Sequence, residues 1–92
     1  MVSRKLRIDI PLGIHLRPAG TLCNKAIDFK SMVSIRIGEK TVNAKSVLGV
    51  LSACVRYGDE IELICEGSDE NEALKILCQM IEDGLGDEFV KK

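Results

Sequence analysis

Apolar and polar positions alternate along this chain with two distinct periods, and the changes of period mark out its elements. Leu6, Ile8 and Ile10 are separated by Arg7 and Asp9, which predicts a strand with three apolar side chains on its core face, ended by Pro11 and Gly13. From His15 to about Phe29 the spacing lengthens. Ala19, Leu22, Cys23, Ala26 and Ile27 fall at i, i+3, i+4, i+7 and i+8, the apolar stripe of a helix. Val33, Ile35 and Ile37 then alternate with Ser34 and Arg36, and Gly38-Glu39-Lys40 turns this strand into Thr41-Val42-Asn43, so the pair reads as a hairpin. Ser46 caps a short helix running to about Cys54. Gly49 weakens that helix, so its stability has to come from packing. After Gly58, the segment from Glu60 to Glu66 predicts a fourth strand with Ile61, Leu63 and Cys65 inward. Ser68 or Asp69 caps a last helix, with Asp69, Glu70 and Glu72 placed for its dipole, Leu74, Leu77, Cys78 and Ile81 as its buried stripe, and Gly84 and Gly86 at its end.

The resulting order is β-α-β-β-α-β-α. Short strands of this alternating kind suit an α+β fold, a four-stranded antiparallel sheet with three helices on one face and water on the other. A length of 92 residues fits one domain over 1–92. With 46% hydrophobic and 29% charged residues the composition excludes disorder, and a net charge of −1 offers no basic footprint for nucleic acid. The aromatic residues are Phe29, Tyr57 and Phe89, none in a predicted strand where it could stack on bases. No apolar run approaches a membrane span and no signal-peptide core follows the first residues, so the expected compartment is the cytoplasm, with no membrane partner. Cys23, Cys54, Cys65 and Cys78 show no C-x-x-C spacing and only one histidine could join them, so no metal site is expected; they read as reduced thiols filling the core.

Chemistry concentrates in Gly13-Ile14-His15-Leu16-Arg17-Pro18-Ala19-Gly20, which holds the lone histidine. Proline is tolerated in a helix only in the first turn. Pro18 therefore belongs to a first turn; if His15 is the cap, the N–H groups of Leu16 and Arg17 and the positive end of the helix dipole lie beside the imidazole. Such a site suits an anion next to a nucleophile; a plain surface cap would look the same in this octapeptide. A neutral imidazole nitrogen is an adequate nucleophile toward phosphorus, and the Arg17 guanidinium is suited to a phosphoryl group. There is no Gly-x-Ser-x-Gly elbow, Walker loop or dinucleotide fingerprint. In Asn43-Ala44-Lys45-Ser46-Val47-Leu48-Gly49-Val50-Leu51-Ser52, Val47, Leu48, Val50 and Leu51 lie on more than one side of the helix. One core face cannot bury them all, which predicts an exposed patch of the kind that marks partner surfaces. Ser46 on its own reads more readily as an ordinary cap than as a functional site.

Together the two stretches resemble the HPr family, the histidine phosphocarriers of the bacterial phosphoenolpyruvate-dependent sugar phosphotransferase system. Gly13-Ile14-His15-Leu16-Arg17-Pro18-Ala19 is similar to the family's active-site signature, and the segment from Val42 to Ser52 to its regulatory serine segment, at a matching separation. The resemblance implies the HPr-like open-faced β-sandwich, no cofactor, and a phosphoryl carrier rather than an enzyme. It implies that His15 accepts a phosphoryl group on Nδ1 from enzyme I and passes it to the EIIA components of sugar permeases. Arg17 and the Leu16 and Arg17 N–H groups would hold that group. Ser46 would be the site of an HPr kinase/phosphorylase, and its phosphorylated form would bind a catabolite-control transcription factor. Leu16, Gly20 and Asn24 with Val47, Leu48 and Leu51 would form the docking surface of a monomer. The main alternative is a regulatory binding module acting through Ser46. Leu12, Leu16, Gly20 and Cys54 stand where family members often have other residues (a polar one; alanine; threonine or alanine; glycine or alanine), so they leave rate and partner preference open.

Overall fold

The computed structural model describes residues 1–86, so Phe89 lies outside the described residues. In chain order the elements are β1 (Val2–Arg7), α1 (Leu16–Ala26), β2 (Met32–Ile37), β3 (Lys40–Asn43), α2 (Val47–Ser52), β4 (Glu60–Glu66) and α3 (Glu70–Glu82). All strand pairs are antiparallel, in the sheet order β1-β4-β2-β3. The predicted order and fold class are the observed ones. Strand β4 is central and carries the core in register: Ile61 faces Leu6, Leu63 faces Ile35 and Cys65 faces Val33, all of them buried. Helix α3 packs on β1 and β4, and α1 packs on both α2 and α3, which closes the core over one face. On the other face, Glu62 stands between Lys5 and Arg36, so opposite charges alternate across three strands.

Three details depart from the sequence pattern. The first strand covers Val2–Arg7, although Ile8 and Ile10 are buried as expected. Its partner β4 begins at Glu60, opposite Arg7, so the regular ladder runs out there. Ile8 continues the alternation by bonding the turn before β4: its N–H donates to the Asp59 carbonyl at 2.8 Å and its carbonyl accepts the Gly58 N–H at 2.7 Å. Ile27, at the C-cap of α1, is 59% exposed and drops out of the buried stripe. In α3 the fully buried positions are Ala73, Leu77, Cys78 and Ile81, and Leu74 is only partly covered.

Cys23, Cys65 and Cys78 are free and buried as expected, but Cys54 is free and exposed. The reason is local. Cys54 follows α2 with a positive φ of 53°, a left-handed turn that carries its side chain away from the core. Glycine takes that conformation without steric cost. Burial raises the thiol pKa of Cys23, Cys65 and Cys78; for Cys65 burial, with Cys78 and then Asp69 and Glu70 nearby, pushes it up to about 11.

Asp69 sits at the N-cap of α3 but makes no capping bond to its own helix. Its carboxylate instead accepts the Ser31 hydroxyl, the Lys30 N–H at 2.8 Å and the Ser31 N–H at 2.9 Å, tying α3 to the entry of β2. These bonds, the Ser31 hydroxyl first, lower the Asp69 pKa below its ordinary value. A lowered folded-state pKa adds stability above the unfolded value of about 3.9, and that stability is lost as pH falls through the folded value. The expected result is that Asp69→Asn loses stability at neutral pH and shows a shallower decline below about pH 4 than the wild type. Denaturant melts across the acid range check it; parallel acid limbs would refute it.

Candidate functional site

The His15 site is held by the turn Ile10-Pro11-Leu12-Gly13. Pro11 presets the backbone for a β-turn, and the Gly13 N–H closes it on the Ile10 carbonyl at 2.8 Å. Gly13 then takes a positive φ of 70°. A Cβ at this position would lie 2.3 Å from the Val55 carbonyl oxygen and 2.9 Å from the Arg56 Cα. No side chain fits, and glycine is required for both reasons. The next residue anchors the loop: the Ile14 N–H donates to the Val55 carbonyl at 3.1 Å, and the Ile14 side chain is buried.

His15 therefore leaves this loop with an extended backbone (φ −88°, ψ −167°) and forms the N-cap of α1, as predicted. Its carbonyl accepts the Ala19 N–H at 2.9 Å, while its imidazole makes no capping bond to the helix. Helix geometry aims the N–H groups of Leu16 and Arg17 out of this end, and Pro18, the third helical residue, is buried with no N–H of its own. The partly exposed His15, the positive end of α1 and an exposed arginine two residues on make a suitable place for a phosphoryl group. The Arg17 carbonyl accepts the Thr21 hydroxyl at 3.1 Å, which stiffens the first turns.

Ser46 is the N-cap of α2, again as predicted. Its Oγ accepts the Gly49 N–H at 3.0 Å and its carbonyl accepts the Val50 N–H at 2.9 Å. The preceding turn is fixed by the Asn43 side chain, whose Oδ1 accepts the Lys45 N–H at 2.8 Å. Two lysines brace the region: Lys45 Nζ donates to the Phe29 carbonyl at 2.7 Å, and Lys40 Nζ donates to the Ser52 carbonyl. The six residues of α2 span about 9 Å. Ser46 is at one end, and the other end leads through Ala53 and Cys54 to Val55, which holds the His15 loop.

The apolar residues of α2 divide as expected. Val50 is buried, Val47 and Leu51 are partly covered, and Leu48 is 79% exposed. On α1, Leu16 is 67% exposed, and Leu16, Gly20 and Asn24 follow one another at helical spacing on the uncovered side. Because α1 and α2 pack together, the two sets lie on neighbouring helices. Sequence reasoning missed the Val55 carbonyl, a main-chain group with no residue-type signal. It also read Gly49 only as a weakness of the helix. Among the described residues, no cluster of three or more His, Cys, Asp or Glu side chains could hold a metal, and no helix is long and apolar enough to cross a membrane.

The family model described as the PTS HPr component phosphorylation site matches residues 2–83. The chain belongs to the HPr family. It is 38% identical over 81 residues to the phosphocarrier protein HPr of Lysinibacillus sphaericus, covering 88% of this chain and 92% of that protein. It is also 37% identical over 83 residues to the HPr-like protein Crh of Bacillus subtilis (strain 168), covering 90% and 98%. The crystal structure of HPr-C-His from Thermoanaerobacter tengcongensis superposes with a TM-score of 0.91 at 37% identity, covering 97% of this chain and all of that one. The protein is thus an HPr-family phosphocarrier, and the family is one of phosphoryl carriers rather than of turnover enzymes.

Proposed function

We propose that His15 is the phosphoryl-carrying residue, loaded by enzyme I at the expense of phosphoenolpyruvate and unloaded to the EIIA components of sugar permeases. The observation that carries this reading is the position of His15 at the N-cap of α1, at the positive end of the helix. In the loading step Nδ1 attacks the phosphorus, the bond from phosphorus to its carrier on enzyme I breaks, and the three phosphoryl oxygens turn toward the Leu16 and Arg17 N–H groups and the Arg17 guanidinium. Arg17 is exposed and long, so it can follow the group as it arrives and departs. The exposed side of α1 at Leu16, Gly20 and Asn24, with Val47, Leu48 and Leu51 of α2, is the docking surface for both partners, approached by a monomer in the cytoplasm. The whole of 1–92 acts as one domain.

Ser46 is the regulatory site, phosphorylated from ATP by an HPr kinase/phosphorylase, after which the protein binds a catabolite-control transcription factor. A phosphate there adds about −1.5 to −2 charge close to the docking surface. It stands at the end of α2 away from the residues that lead to the His15 loop, so it acts more on docking than on the imidazole. A role confined to regulation is the second reading, favoured by the similarity to the Crh protein. Incubation with enzyme I and phosphoenolpyruvate separates the two. The carrier reading expects one acid-labile phosphate on the peptide containing His15; labelling at Ser46 by ATP and kinase with no transfer from enzyme I would leave the regulatory reading alone standing.

A further inference from the structure

Glycine inside a six-residue helix is costly, because it weakens an element that packing alone has to hold. The backbone does not demand it: Gly49 is not among the residues with positive φ. Space does. A Cβ on Gly49 would stand 3.0 Å from the Asn43 carbonyl oxygen, 3.3 Å from the Ser46 Cβ and 3.4 Å from the Ser46 Oγ. The Asn43 carbonyl has little freedom to retreat, since it accepts the Ser46 N–H at 3.2 Å and Asn43 pairs with Ser34 at the end of β3. In α1, by contrast, a Cβ on Gly20 would meet nothing within 4 Å. The missing side chain at 49 lets the Asn43–Ser46 turn close onto α2 and leaves one side of the Ser46 hydroxyl uncovered.

We propose that Gly49 is a positioning residue for phosphoryl transfer to Ser46, an inference that rests on the regulatory reading of Ser46 above. In that transfer the Ser46 Oγ attacks the γ-phosphorus of ATP. The Oγ–P bond forms as the bond to the β,γ-bridging oxygen breaks, ADP leaves with the electron pair, and the hydroxyl proton passes to a general base of the kinase. The Gly49 N–H engages one lone pair of Oγ at 3.0 Å and so fixes which lone pair faces the donor. An alanine methyl would displace Ser46 by a few tenths of an ångström and stand beside the attacking oxygen.

The test compares wild type with Gly49→Ala, labelled at Ser46 by ATP and HPr kinase, labelled at His15 by enzyme I and phosphoenolpyruvate, and melted thermally. The expected result is a kcat for Ser46 labelling lower by roughly tenfold or more, because small misplacements at a reacting atom are amplified in rate. KM for the protein and His15 labelling stay close to wild type, since the docking side chains are untouched, and the thermal melt shows that the variant is folded at the assay temperature. Equal Ser46 rates in the two proteins overturn the proposal. So does a loss shared by Ser46 and His15 labelling, which would make Gly49 a residue of the fold only. A wild type that takes no phosphate at Ser46 overturns the regulatory reading itself, and this proposal with it.

Discussion

His15→Ala is expected to abolish acid-labile phosphate uptake from enzyme I while the chain folds as before. The two halves of that expectation come from different atoms. The helix uses the His15 main chain: its carbonyl accepts the Ala19 N–H at 2.9 Å, and alanine supplies the same carbonyl. The variant keeps that main-chain bond, so α1 still starts at the same residue and the change in stability should stay on the order of 1 kcal/mol. The chemistry uses only the side chain, and this chain has no second histidine to take over. A phosphate-transfer assay paired with a denaturant melt reads both. Residual acid-labile label in the variant would place the carrier residue elsewhere and remove the central claim about this site.

Gly13→Ala is expected to do the reverse, damaging fold and transfer together. Its methyl would occupy space 2.3 Å from the Val55 carbonyl oxygen, on a backbone with φ 70° that disfavours any side chain. Strain of this kind, with the displacement of two backbone segments, costs roughly 2–4 kcal/mol. The displaced segment is the one whose carbonyl holds the Ile14 N–H, so the loop presenting His15 moves with it. A shift on the order of 1 Å at the reacting group lowers a transfer rate by roughly a hundredfold. The measurements are an unfolding curve and the rate of phosphate uptake from enzyme I. Wild-type values for both would mean that the contact between Gly13 and Val55 is not what presents the histidine.

Features decided within one turn of chain were readable from residue order. Both N-caps fell on the expected residues, His15 before Pro18 and Ser46 before the apolar run, because capping and the placement of proline are local constraints. The partial exposure of α2 was readable too, since Val47, Leu48, Val50 and Leu51 cannot share one face. Features set by distant segments were not. Where β1 ends depends on where β4 begins. Asp69 was expected to serve its own helix and serves Lys30 and Ser31 instead. No local pattern records that a loop 38 residues earlier in the chain arrives within reach of its carboxylate.

The unequal burial of the four thiols gives this molecule a built-in attachment point. Cys23, Cys65 and Cys78 are enclosed and hard to ionise, whereas Cys54 is open to solvent. A thiol-selective fluorophore or spin label would therefore go onto one position without any engineering of the chain. That position adjoins Val55, whose carbonyl carries the loop before His15. Such a reporter would sense partners arriving and leaving at the phosphoryl-carrying end of the protein, with the three remaining thiols silent beneath it.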